Sequence, residues 1–243
     1  MIRGLYTAAS GMIVENRQQQ NISQNLANMN TVGFKQLYLA SIAQEEGTVT
    51  NDNGRNTLGT LTMKVGTDAP DLMMAQGDLR ATDEPYDFAL DGEGFFTLDA
   101  GNGERYYTRD GRFGVNNQGQ LVSKEGYPVL MTNGQPAVVN QTEFSINSDG
   151  AFNVEGRNYQ FMISTVDNPN QLVQQGDNNF TYGGEVEVSE DYLLYKGMVE
   201  GSNVNITDAL VNLMTANRAL QSNSKVLQSM DEMLAQSVQI GRI

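Results

Sequence analysis

Five apolar residues, Ile206, Leu213, Leu220, Leu227 and Leu234, recur every seven positions near the C-terminus. No Pro interrupts residues 207–243, and the only Gly there, Gly241, follows the last Leu. A seven-residue period lines side chains along one side of an α-helix. At about 1.5 Å rise per residue, a helix over most of this stretch is roughly 50 Å long. That exceeds the core of a small domain, so the stripe needs a partner along its length.

The other end of the chain offers one. Leu5, Met12 and Leu26 fall in one seven-residue row, broken by Gln19, and Ile22 and Met29 fall in the next row. The two ends therefore read as halves of one coiled-coil-like unit. Beside the C-terminal row lie Ala209, Ala216, Asn223, Met230 and Ser237 on one side, and Leu210, Asn217, Ser224, Asp231 and Val238 on the other. A dimeric zipper wants such flanks apolar. Small and amide residues instead let helices approach closely. One apolar row with one mixed row suits a two-helix unit stacked against neighbours, and an intramolecular hairpin is the simpler alternative.

At 243 residues the chain can bury a core in one or two domains. Cys, His and Trp are absent, which removes thiol chemistry, the commonest general base and the favoured zinc ligand. No apolar run has signal-peptide or membrane-span length. A soluble chain without a cleaved Sec-type signal is expected, cytoplasmic unless another export route reads it. The net charge of −14 is uneven: residues 1–44 carry +2, residues 201–243 carry zero, and the middle carries −16. An acidic middle argues against nucleic acid, which needs a basic footprint.

The first helical pattern fades at Asn28–Asn30, and Gly33 is a natural left-handed stop. Phe34, Leu37, Tyr38, Leu39 and Ile42 then suggest a helical turn or two, and the polar stretch Glu45–Asn56 reads as a flexible loop. From Leu58 the period becomes two, with Leu61, Met63 and Val65 alternating with polar residues. Between there and Ser189, Gly-containing turns separate short candidate strands: Asp87–Leu90, Gly94–Leu98, Arg105–Thr108, Phe113–Val115, Gln120–Ser123, Pro128–Met131, Phe152–Val154 and Tyr159–Val166. The pattern D-G-x-F-x-V occurs at Asp110–Val115 and at Asp149–Val154, each a turn feeding a strand whose Phe and Val share a face. Tyr192–Val204 leads back to the long helix, with Thr207 or Asp208 as its N-cap. The expected fold is α+β: a discontinuous coiled-coil-like unit of N- and C-terminal helices with an inserted, mainly antiparallel β domain. The expected division is residues 1–44 plus 201–243 as the helical domain, 45–90 plus 187–200 as a connector, and 91–186 as the inserted β domain.

Catalytic signals are weak. Asp83, Glu84, Asp87, Asp91 and Glu93 cluster in sequence, but they sit beside Pro85 and Gly92 as turn residues do. Asp91–Gly94 leads into a strand and not a helix, so the phosphate-cradle mechanism fails. Neither Asp149 nor Asp167–Asn170 begins a complete calcium loop.

Three separated motifs carry a family resemblance. Leu5–Met12 (LYTAASGM), Asn25–Asn28 and Asn30–Lys35 (NTVGFK) resemble the N-terminal signature of bacterial flagellar rod and hook proteins. Gly92–Phe96, Tyr107–Phe113 (YTRDGRF) and Gly119–Val122 resemble that family's central β region. Glu200–Val204 (EGSNV), Asn217–Ala219, Asn223–Lys225 and Asp231–Leu234 resemble its C-terminal signature. The chain is shorter than hook proteins usually are, and its ending is closer to the distal than to the proximal rod members.

The resemblance implies a structural component of the flagellar basal body that polymerises into a helical rod, transmits torque and encloses the export channel. The implied partners are copies of itself, other rod subunits, the hook protein and the flagellar export apparatus, with no nucleic acid and no membrane insertion. The implied place is outside the cytoplasmic membrane, reached without a cleaved signal peptide. No catalytic, cofactor-binding or metal residue is implied. The assembly positions expected are Leu5, Met12, Ile22, Leu26 and Met29 with Ile206, Leu213, Leu220, Leu227 and Leu234, and the hinge or turn positions are Gly33, Gly92, Gly94 and Asn203. The alternatives are a proximal rod or other short hook-basal-body protein, or, in a different class, a soluble glycan-binding or glycan-hydrolysing protein.

Overall fold

The computed structural model describes residues 2–50, 57–101, 103–139, 151–154, 157–176, 178–189 and 192–240. The chain forms two compact units. The first contains residues 1–27, 37–71 and 205–243, and the second contains residues 28–36 and 72–204.

Two helices make the first unit's frame: α1, Ile2–Ala27, and α2, Ile206–Ile240. They pack on each other along their length. The packing is antiparallel, because Gly4 meets Met230 while Gly11 meets Asn223. A Cβ added at Gly4 would come within 2.5 Å of Met230 Cε, and one at Gly11 within 3.1 Å of Asn223 Nδ2. On α2 the covered positions are Ala209, Leu213, Ala216, Leu220, Asn223, Leu227 and Met230, all buried or half-buried. Steps of four and three residues alternate through that series, which is the spacing of a coiled-coil seam.

The N-cap of α2 is Asn205, two residues before Thr207 and three before Asp208, the caps the sequence suggested. Asn205 Oδ1 accepts from the backbone N–H groups of Thr207 at 2.9 Å and Asp208 at 3.4 Å. Thr207 and Asp208 are therefore inside the helix, where Asp208 faces the positive end of the dipole.

The same unit holds an antiparallel ribbon, Ser41–Thr50 paired with Thr57–Thr67. Strand Thr57–Thr67 runs along α1. The strand reading from Leu58 holds. Two expectations before it do not. Residues 34–42 contain the short strand Leu37–Tyr38 and the start of the ribbon, with no helix. Residues 45–50 are strand and not loop, because a polar run rich in Thr and Val finds a partner edge at Thr57–Thr67. Residues 51–56 lie outside the described residues. Asn25, at the end of α1, holds Leu37 in place. Its Nδ2 donates to Leu37 O at 2.7 Å and its Oδ1 accepts from Leu37 N at 3.0 Å.

The second unit is built on a six-stranded sheet. Its strand order is Val173–Gln175, Asn179–Thr181, Glu104–Thr108, Phe95–Gly101, Ile163–Val166 and Val186–Val188, every pair antiparallel. Smaller pairs join Phe88–Gly92 to Tyr192–Lys196 and Leu79–Ala81 to Met198–Glu200. The stretch leading back to the helix is thus two strands. The core gathers Phe88, Leu90, Phe96, Leu98, Phe113, Leu121, Val129, Phe161, Ile163, Tyr192 and Leu194. Phe96 meets Phe113 edge-on with centroids 5.2 Å apart, and Phe88 meets Phe161 at 5.3 Å. In the first D-G-x-F-x-V segment Phe113 is buried and Val115 is exposed. The side chains of the second lie outside the described residues.

Two outcomes follow from this packing. Phe96→Ala removes a fully buried ring and costs about 3–5 kcal/mol in urea denaturation of the second unit. Asn205→Ala removes the N-cap and lowers the stability of the first turns of α2 by about 1 kcal/mol, read as faster amide exchange there.

Candidate functional site

The residues around Gly33 arrive from three parts of the chain. Gly33 has φ +68°, which favours Gly, and its N–H donates to Glu200 O at 2.7 Å. A Cβ on Gly33 would come within 2.4 Å of the Arg109 carbonyl carbon. Backbone crosses backbone here with no room for a side chain.

Beside this crossing lies a buried ion cluster. Lys35 Nζ is 2.7 Å from Glu200 Oε1, and Arg109 Nη1 is 3.1 Å from Glu200 Oε2. All three side chains are at most 2% exposed. Backbone groups add to the set, and Arg109 Nε is left buried without a partner. Gly77 N–H donates to Glu200 Oε1 at 2.9 Å, Lys35 Nζ donates to Ala75 O at 3.0 Å, and Arg109 Nη2 donates to Gly92 O at 2.6 Å. The Arg109 guanidinium also lies 5.7 Å from the centroid of the Phe95 ring. The cluster carries two cations and one carboxylate, with further attraction on Arg109 from Glu93 and Asp91. Burial pulls the Lys35 ammonium below the ordinary lysine range, and Glu200 opposes that shift.

Asn203 extends the clamp. Its Oδ1 accepts from Gln36 N at 2.7 Å, and its Nδ2 donates to Met73 O and Ala75 O, both at 2.8 Å. Gly92 and Gly94 have φ +119° and +120°, and a Cβ on Gly94 would come within 2.7 Å of Ile163 Cγ2. The four positions expected as hinges or turns thus all lie in the second unit.

The ten assembly positions divide by exposure. Leu5, Met12, Ile22, Leu26, Leu213, Leu220 and Leu227 are half-buried in the first unit. Ile206 is 45% exposed and Leu234 is 37% exposed. Met29 is half-buried and belongs to the second unit. Of the flanking row named from the sequence, Leu210 and Val238 are exposed. Sequence reasoning passed over Val211, Met214, Val226 and Met233 on α2 and Tyr6 and Ile13 on α1, which are exposed as well. Lys35, Arg109 and Glu200 each stood in a recognised Gly-containing motif, one in each of the three, and that is the cue that links them.

No three His, Cys, Asp or Glu residues come together as a metal-ligand set among the described residues. No described helix is long and apolar enough to cross a membrane.

The cluster makes a graded prediction. Glu200→Gln leaves two buried cations without a carboxylate and costs about 3–5 kcal/mol in denaturant unfolding. Lys35→Met leaves a one-to-one Arg109–Glu200 pair and costs clearly less. Lys35 has a lower pKa folded than unfolded, so the unfolded chain binds the extra proton between that lowered value and about 10.4. Across this window the wild type gains stability relative to Lys35→Met as pH rises. A flat difference between the two unfolding curves from neutral pH to that limit contradicts the assignment.

Comparison with known proteins follows the same three segments. Residues 5–35 match the family described as flagella basal body rod protein. Residues 89–154 match the flagellar hook protein FlgE/F/G D1 domain, and residues 195–240 match the flagellar basal body rod FlgEFG protein C-terminal family. Lys35, Arg109 and Glu200 fall one in each. The chain is 32% identical to the flagellar basal-body rod protein FlgG of Bacillus subtilis over the whole of both chains. It is 33% identical to FlgG of Borreliella burgdorferi, over 96% of this chain and 97% of that one. It is 32% identical to FlgG of Caulobacter vibrioides, over 98% and 99%. With matches in every segment and relatives aligned end to end, the chain belongs to the flagellar basal-body rod protein family, as a structural component of the bacterial flagellum.

Proposed function

We propose that this chain is an axial subunit of the flagellar basal body, self-assembling into the helical rod that transmits torque and surrounds the export channel. The observation that carries the reading is the exposed apolar surface of α2. Eight large apolar side chains from Ile206 to Val238 are at least 37% exposed. That much apolar surface along one helix is costly in water and gains by being covered. The near-zero charge of residues 201–243 adds little repulsion between copies.

In this reading α1 and α2 form the inner layer of the rod. The half-buried Leu213, Leu220 and Leu227 close the helix pair within one subunit, and the exposed apolar side chains of α2 join neighbours. Its neighbours along the axis are copies of itself, other rod subunits and hook protein. The chain reaches its place outside the cytoplasmic membrane through the flagellar export apparatus, without a cleaved signal peptide, and performs no catalytic step.

The test is Val211→Glu with Met214→Glu. Both residues are exposed, so the subunit folds. Sedimentation should show loss of large particles, and cells carrying the variant should lose motility. Deleting residues 207–243 should have the same effect while the β core keeps its near-ultraviolet signal. Normal assembly and swimming in the double variant would contradict the reading.

A further inference from the structure

The pairing of α1 with α2 runs out before α2 does. Gly4 meets Met230 and Gly11 meets Asn223, so seven residues forward on α1 is seven back on α2. Carried to its end, that register sets Ile2, the first residue of α1, opposite position 232. Residues 233–240 of α2 stand past that point, about 12 Å of helix. Every residue from 231 to 239 is exposed.

The seam pattern goes on regardless. The next step of four from Met230 is Leu234, and Val238 lies one turn beyond it on the same side. Both are exposed. A stripe that α1 covers lower down thus continues onto a tail that α1 does not reach. The opposite end of α2 carries a second bare row. Ile206, Leu210 and Met214 follow one another at steps of four, all exposed. This row lies beside the covered positions Ala209, Leu213 and Ala216, and it also spans about 12 Å. Head row and tail both belong to the first unit, roughly 40 Å apart along one helix.

We propose that the tail carrying Leu234 and Val238 packs on the Ile206, Leu210 and Met214 row of a second copy, head to tail, as the axial contact of the assembly. The proposal rests on the axial reading above and names the surfaces that make it. Two parallel α2 helices overlapping by the length of the tail set Leu234 beside Ile206 and Val238 beside Leu210, or each one turn further on. The competing use of a bare tail is a closed pair, tail on tail. Electrostatics oppose it. Asp231 and Glu232 stand at the base of the tail, and no Lys or Arg lies between Val226 and Ile240. The C-terminal end of a helix is also the negative end of its dipole. Tail on tail doubles both charges, whereas tail on head sets the negative end near the positive start of the next helix. Asp208, the one acid of the head, is two residues from both Ile206 and Leu210 and so faces away from their row. A contact between two different patches leaves every assembly with a free head and a free tail, so it propagates where a tail pair closes.

The chain has no Cys, so an introduced pair reports one contact. The experiment is diamide oxidation of the concentrated full-length chain carrying Val238→Cys with Leu210→Cys, and separately Val238→Cys with Met214→Cys, followed by a non-reducing gel. All three positions are exposed, so the subunit folds. At least one pair should give a ladder of disulfide-linked multimers, and no single substitution should, because the bond needs Cα atoms within about 7 Å. Leu234→Glu with Val238→Glu should raise the concentration at which large particles sediment at least about tenfold. A linked dimer from Val238→Cys alone shows tails pairing with each other and overturns the proposal. So does unchanged particle formation in the double Glu variant. Large particles in which neither Cys pair links also overturn it, and leave the axial reading standing. A wild-type chain that forms no large particles at any concentration removes the axial reading and this contact together.

Discussion

Glu200 joins three parts of the chain that are far apart in sequence. Its carboxylate takes Lys35 on one oxygen and Arg109 on the other, across sequence separations of 165 and 91 residues. Desolvating three charges offsets most of their attraction, so the cluster is a weak source of net stability. What it supplies is registry. An apolar trio of similar volume could slide, whereas these charges are satisfied only when the carbonyls of Ala75 and Gly92 and the amide of Gly77 are also in place. Gly33 must pass against the Arg109 peptide for this to happen, and Asn203 then ties the returning strand to Gln36, Met73 and Ala75.

The helical unit follows a different constraint. Gly4 and Gly11 bring α1 close to α2, and the alternating steps from Ala209 to Met230 keep one face of α2 covered. Covering that face leaves other apolar side chains bare, because a helix with apolar residues on several sides cannot bury them all against one partner. The same helix therefore carries a closed seam and exposed apolar side chains, and the latter are the surface on which the assembly reading rests.

Much of this was legible. The heptad row predicted α2, the doublets with Gly predicted most strands of the sheet, and the three motifs led to the family. The misreadings share a cause. Residues 45–50 looked like a loop because their partner strand begins only at Thr57, and the polar stretch EEGTVT has no apolar alternation of its own. Residues 34–42 gave a helical period by accident, and Asn25 overrides it by holding both backbone groups of Leu37. Asn205 was passed over as N-cap because Thr207 and Asp208, equally good cap residues, follow it within the same turn.

Sequence by itself determined the elements whose cause is local: the long helix, the turns at Gly positions, the apolar faces and the three motifs of the family. Those depend on periods and backbone preferences that a few neighbouring residues set. Only the tertiary structure decided that Lys35, Arg109 and Glu200 meet, that Asn203 clamps three carbonyl and amide groups, and which apolar side chains of α2 stay exposed. Each of those is a pairing between distant segments, and a side chain's partner is chosen by where the fold carries it and not by its own neighbours in the chain.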